Sequence, residues 1–274
     1  MNRALAALLC SGCALPAVSA GTFLPAGDLA AGDVHASISL EAGRVLAGPS
    51  DIHDQPGPQP ATPRQAQQYE VSTWVASDVS VRWQATPLLT LEGQVKLTNP
   101  VTPFTPNLVG GALGARLRLR HVPPGGGLAV EVGTRVVFVS AEQSIDRRSG
   151  GFEQTDVWNY RSLGIEAPLI LTYRLNPLFA VTASPFLRAY WIRAWHDKTV
   201  TIQDSSGAPT AVTDSQAILQ WSPVLSAGMG VAGAFDLGAV QLSPGVAVEL
   251  VTKPGPNATT HFIFEPGVSV GTRF

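Results

Sequence analysis

The chain closes on HFIFEPGVSVGTRF, residues 261–274, and the reading of this stretch decides the fold. In an extended strand successive side chains point to opposite faces. Phe262, Phe264, Val268, Val270 and Phe274 then share one face, and His261, Glu265, Ser269, Gly271 and Arg273 share the other. A soluble domain rarely ends on such strict alternation and a bare aromatic.

The same period of two recurs upstream. Val71, Thr73, Val75, Val79, Val81 and Trp83 oppose Glu70, Ser72, Asp78, Ser80, Arg82 and Gln84. Beyond Thr86-Pro87, Leu89, Leu91, Val95 and Leu97 oppose Thr90, Glu92, Gln94, Lys96 and Thr98. A helix would scatter these residues around its circumference. Further alternating runs follow around Leu113–Arg120, Leu128–Phe138, Leu163–Leu171, Phe179–Trp191, Leu219–Phe235 and Val240–Leu250. With Val34–Leu40 in front and the closing segment behind, the pattern predicts about ten strands, eight or twelve remaining open.

The expected connections alternate in length. Short turns fall near Pro87, Pro124, Asn176 and Asp236, and longer polar loops near 47–67, 99–109, 142–157, 197–215 and 253–259. Short turns on one side and long loops on the other suit a membrane barrel, whereas a soluble β-sandwich, the alternative, does not require the asymmetry.

Composition agrees. Charged residues make up 14% of the chain, against roughly 25% in ordinary soluble domains. The formal net charge of −2 gives no footprint for nucleic acid. No run approaches the roughly 18 apolar residues of a spanning helix, so a membrane reading must be a barrel. The opening residues 1–20 read as a secretory signal peptide, with Arg3 ahead of an apolar stretch and a small-x-small cleavage site at Val18-Ser19-Ala20. Residues 21–274 form the barrel domain. Both cysteines, Cys10 and Cys13, lie in the signal segment, which leaves no disulfide or cysteine metal site unless Cys13 is lipidated instead.

The polar face carries charges of both signs: Glu70, Asp78, Arg82, Glu92, Lys96, Arg116, Arg118, Arg120, Glu131, Arg135, Glu166, Arg188, Glu249 and Glu265. In a barrel of about ten strands that face is a narrow lumen. On the lipid face an Arg near the midplane would cost about 2–4 kcal/mol. The charges therefore read as an interior network of salt bridges, with a narrow path lined by Arg116, Arg118 and Arg120 as the alternative. Aromatics gather towards both strand ends, Trp83, Tyr173, Phe179, Phe235 and Phe274 at the short turns, Trp158, Tyr160, Trp191, Trp195, Trp221 and Phe262 at the loops, as two interfacial belts would.

With these features the chain resembles the small outer-membrane β-barrel proteins of Gram-negative bacteria. Phe264, Val268, Val270 and the terminal Phe274 look like the C-terminal signal by which the barrel-assembly machinery recognises that family. The resemblance implies an all-β, transmembrane, antiparallel up-and-down barrel in the outer membrane. Its expected partners are membrane lipid, the assembly machinery and an extracellular ligand or small solute.

Chemistry is sparse. Asp51-Ile52-His53-Asp54 offers metal-type ligands in a Pro-rich loop, but four adjacent residues read better as solvated loop. His196-Asp197 resembles half of the paired residues at the barrel mouth of omptin proteases, without a facing aspartate pair. Gly125-Gly126-Gly127 lacks the following Lys of a phosphate loop and reads as turn filler. No catalytic residue, metal site or cofactor is expected.

Overall fold

A computed structural model describes residues 29–47, 73–98, 107–121, 126–149, 152–203, 209–253 and 259–274. They form β1 (Val34–Ala47), β2 (Thr73–Gln84), β3 (Leu89–Thr98), β4 (Asn107–Arg120), β5 (Gly127–Ser149), β6 (Phe152–Asn176), β7 (Phe179–Gln203), β8 (Pro209–Asp236), β9 (Val240–Lys253) and β10 (Thr259–Arg273). Each strand pairs antiparallel with its sequence neighbours, and β1 pairs with β10, so the sheet closes into a barrel of ten strands. Phe274 completes the closure with its backbone: its N–H donates to the Val34 carbonyl at 2.9 Å, and its own carbonyl accepts from Val34 N–H at 3.1 Å.

The turns at one end follow from local side chains. Thr86 Oγ1 accepts from Leu89 N–H at 3.0 Å, Asn176 Oδ1 from Leu178 N–H at 2.9 Å, and Asp236 Oδ1 from Gly238 N–H at 3.1 Å. Gly238 has φ of 89°, in the left-handed region that glycine adopts without strain.

The two faces of the wall are inverted relative to a soluble protein. Outside, Leu113 is 70% exposed, Leu187 66% and Ile38 63%. Inside, Lys96, Arg116, Glu166 and Glu249 are buried. A belt of large apolar side chains this continuous has no favourable place in water, and in lipid it needs no further cover. Trp83, Tyr173, Phe235 and Phe274 are exposed near the short turns and Trp191 towards the loops; the side chains of Trp158, Tyr160 and Trp221 lie outside the described residues.

Two expected loops are strands. Residues 142–149, 152–157, 197–203 and 209–215 extend β5 through β8 to 23, 25, 25 and 28 residues. A membrane-crossing strand needs only about 9–11. The surplus lies at the end away from the short turns and forms a four-stranded sheet standing above the barrel. There Asp197 accepts from Ser215 Oγ at 2.5 Å, and Thr199 and Thr213 hydroxyls are 3.1 Å apart. Along these extensions exposure no longer alternates, Asp197–Thr201 being half-buried and Ala211–Ser215 exposed throughout, so the period of two fades and polar composition imitates a loop.

Close packing across strands depends on small residues in the lumen wall. Gly164 of β6 faces Tyr190 of β7, and a Cβ there would run into the Tyr190 side chain and the Ala189 carbonyl. Gly164→Val is therefore expected to block folding, read as loss of the heat-modifiable gel shift. Gly93→Ala, whose Cβ would meet Leu113 at an ordinary 3.5 Å, should fold.

Candidate functional site in the barrel lumen

Inward positions recur every second residue, and the register of adjacent strands stacks them at matching heights. Arg135 of β5 lies opposite Glu166 of β6, which lies opposite Arg188 of β7. Arg116 of β4, whose direct register partners are Thr90 and Gly133, reaches Glu92 of β3 and Glu131 of β5 diagonally. The outcome is one ladder of alternating charge. Arg118 Nε is 3.3 Å from Glu131, Arg116 is 4.0 Å from Glu131 and also pairs with Glu92, and Arg135 Nε is 3.6 Å from Glu92. Arg135 pairs with Glu166; Arg188 then sits 2.6 Å from Glu166 and 3.0 Å from Glu249.

Four guanidinium groups and four carboxylates thus run from β4 across the lumen to β9 with no net charge. Withdrawing ions from water costs several kcal/mol each unless every charge is matched. Alternation provides that match. A second cluster stands on the other wall: Lys96 Nζ lies 2.5 Å from Glu41 and 3.6 Å from Asp78, and Ser39 Oγ donates to Asp78 at 3.1 Å.

The lumen is filled above and below this layer. Towards the short turns, Thr90 Oγ1 donates to Gln84 Oε1 at 2.7 Å, Arg118 donates to the same oxygen at 2.8 Å, and both Arg118 terminal nitrogens donate to the Leu29 carbonyl at 3.1 Å. Leu29 itself is buried. Towards the other end, the next inward positions are Val137, Val139, Ile192, Val224, Val251 and Ile263, all buried. Between Arg82, Glu92, Gln94 and Arg135 a cavity of about 10 Å³ remains, about the room for one water.

The candidates read from the sequence are distributed as follows. Asp78, Arg82, Glu92, Lys96, Arg116, Arg118, Glu131, Arg135, Glu166, Arg188, Glu249 and Glu265 have inward side chains of low exposure. Arg120 does not join them: the β4–β5 register shifts between Arg118 and Arg120, and Arg120 is exposed at the strand end. A strict alternation extrapolated through that irregularity places it wrongly. Glu70 and Asp51-Ile52-His53-Asp54 lie outside the described residues, as does the His196 side chain. Glu41 was the member that the pattern reading passed over, although it continues the inward series of His35, Ser37 and Ser39. Phe264, Val268, Val270 and Phe274, expected from the sequence to serve as an assembly signal, all point outward.

These features define a closed ten-stranded membrane β-barrel with a filled interior. Solved structures of similar fold include the outer membrane protease OmpT from Escherichia coli, 11% identical over 91% of this chain and 98% of that chain, TM-score 0.44. The translocator domain of autotransporter NalP from Neisseria meningitidis is 12% identical over 90% of each chain, TM-score 0.42. The Ralstonia pickettii toluene transporter TbuX is 10% identical over 96% of each chain, TM-score 0.33. No family model matches the chain, and no curated protein does.

Proposed function

We propose that this is an exported outer-membrane barrel whose lumen does not conduct and whose role lies in surface interaction, carried by the projecting sheet of β5–β8. The reading rests on the charge ladder that spans the lumen, eight ions that are paired with one another and all but buried. Short turns and both chain ends then face the periplasm, and the projecting sheet faces outward. Among the described residues, β4 does not pair with β5 beyond Glu142, nor β9 with β8 on the loop side of Leu225, so β5 and β8 each keep one unpaired edge there. Two bare strand edges present backbone donors and acceptors to an extracellular partner, the geometry on which strand addition works. The signal peptide ending at Ala20, the outward Phe264, Val268, Val270 and Phe274, and the apolar belt support export, assembly by the barrel machinery and residence in lipid. The protein acts without a catalytic centre or cofactor in this reading.

The test is conductance across a planar bilayer, with folding of the mature chain checked by gel mobility before and after boiling. A folded barrel is expected to stay silent. Discrete current steps whose ion selectivity changes in an Arg116→Gln/Arg118→Gln variant would overturn the sealed lumen in favour of a narrow channel.

A further inference from the structure

On β6 the outward side chains from Tyr173 to Leu163 are all apolar, and the next one is Arg161. On β7 the outward series from Phe179 to Trp191 is likewise apolar, and the next two are Arg193 and Trp195. The two apolar runs stop at one height, because Leu163 pairs with Trp191 and Arg161 pairs with Arg193. Twelve residue steps separate Phe179 from Trp191. At roughly 3.3 Å per residue and a tilt of roughly 40°, they rise about 30 Å, close to the roughly 25 Å apolar band of such barrels. Arg161 and Arg193 therefore stand at the outer edge of the belt.

Their pairing is unusual for a sheet. Two like charges directly opposite each other on adjacent strands repel. Both are exposed, and both guanidinium groups converge on one ring: Arg161 Cζ lies 5.1 Å and Arg193 Cζ 5.2 Å from the Trp195 centroid. The position opposite Arg161 on its other side is Ser140 of β5, a neutral residue. Among the described residues no carboxylate forms a salt bridge with either arginine. The arrangement gathers two positive charges with forked N–H donors against a half-buried aromatic, directly above side chains that face lipid tails.

We infer that Arg161, Arg193 and Trp195 form a clasp for a phosphate group, and that the phosphate belongs to a membrane lipid whose acyl chains run down over Leu163 and Trp191. Two guanidinium forks match phosphate oxygens in shape and charge. Trp195 holds the forks together and belongs at the level of the headgroups. An anion between the arginines converts their repulsion into a shared attraction. The inference rests on the membrane reading of the barrel.

The test uses the full mature chain folded in detergent, offered a diphosphorylated glycolipid, its dephosphorylated form, and inorganic phosphate, with retained adducts counted by native mass spectrometry. Wild type is expected to retain the phosphorylated glycolipid, with retention falling roughly tenfold or more in Arg161→Gln/Arg193→Gln. Arg161→Lys/Arg193→Lys, which keeps the charge without the fork, should retain an intermediate amount. Equal retention of both glycolipids, or of the phosphorylated one by wild type and the Gln variant, would overturn the clasp. Arginine-dependent binding of inorganic phosphate without retention of the glycolipid would overturn the lipid as its source. The gel shift on boiling, followed in parallel for each variant, separates failure of the barrel from failure of the clasp.

Discussion

Replacing Glu166 by glutamine is expected to destabilise the barrel by about 3–5 kcal/mol, the range for leaving a buried charge without its partner. Glu166 is fully enclosed and joins Arg135 to Arg188. Its loss leaves Arg135 with Glu92 at 3.6 Å and Arg188 with Glu249 at 3.0 Å, so four carboxylates become three against four guanidinium groups. The measurement is urea unfolding of the protein in lipid vesicles, followed by tryptophan fluorescence. A companion variant isolates the cause: Arg188→Met/Glu249→Gln removes one ion of each sign and keeps the Arg135 to Glu166 pair. If charge matching is what holds the ladder, this double variant loses less than Arg188→Met alone, because the two changes are coupled. A double variant that loses the sum of its two single variants would mean that the side chains act by filling space and not by pairing.

Leu113→Arg is expected to cost about 2–4 kcal/mol in the same assay, and Leu175→Arg about 0–1 kcal/mol. Leu113 lies in the middle of the outward apolar run of β4 between Leu119 and Val109 and is 70% exposed. Leu175 is 55% exposed but sits one residue from the short turn that begins at Asn176. The contrast depends on depth in lipid. A soluble β-sandwich would tolerate arginine equally at both surface positions, so two equally mild variants would argue that the belt meets water.

How far the sequence could be read depended on what each stretch of wall faces. Where lipid lies outside and paired ions inside, the two faces differ sharply, and Phe264-Glu265, Val81-Arg82 and Leu187-Arg188 place each residue by simple alternation. The contrast vanishes higher up. Trp191 faces out and Ile192 in, Leu250 out and Val251 in, and Phe264 out and Ile263 in. Neighbours that are both apolar carry no phase, so the apolar layer that closes the upper lumen was invisible in the pattern. Higher still, exposure no longer alternates, Asp197–Thr201 being half-buried and Ala211–Ser215 exposed throughout, and such strands resemble loops in sequence. Arg120 was misplaced by a register irregularity that leaves no mark in composition. Tertiary register also decided which ions meet: Glu166 and Arg188 are cross-strand partners, whereas Lys96 and Glu41 come from β3 and β1, which are not adjacent in the sheet.

The seam between β1 and β10 has a kinetic consequence. Every other pair of neighbouring strands is consecutive in the chain and can form as a local hairpin, whereas this one joins Val34 to the last residue, Phe274. The loop closed by that contact spans residues 34–274, so the seam is the slowest pairing to find and the most costly in chain entropy. Until it forms, β1 and β10 each expose a row of backbone N–H and C=O groups that hydrocarbon cannot satisfy. A barrel with this seam still open is therefore no resting place in hydrocarbon, which couples closure of the sheet to its insertion.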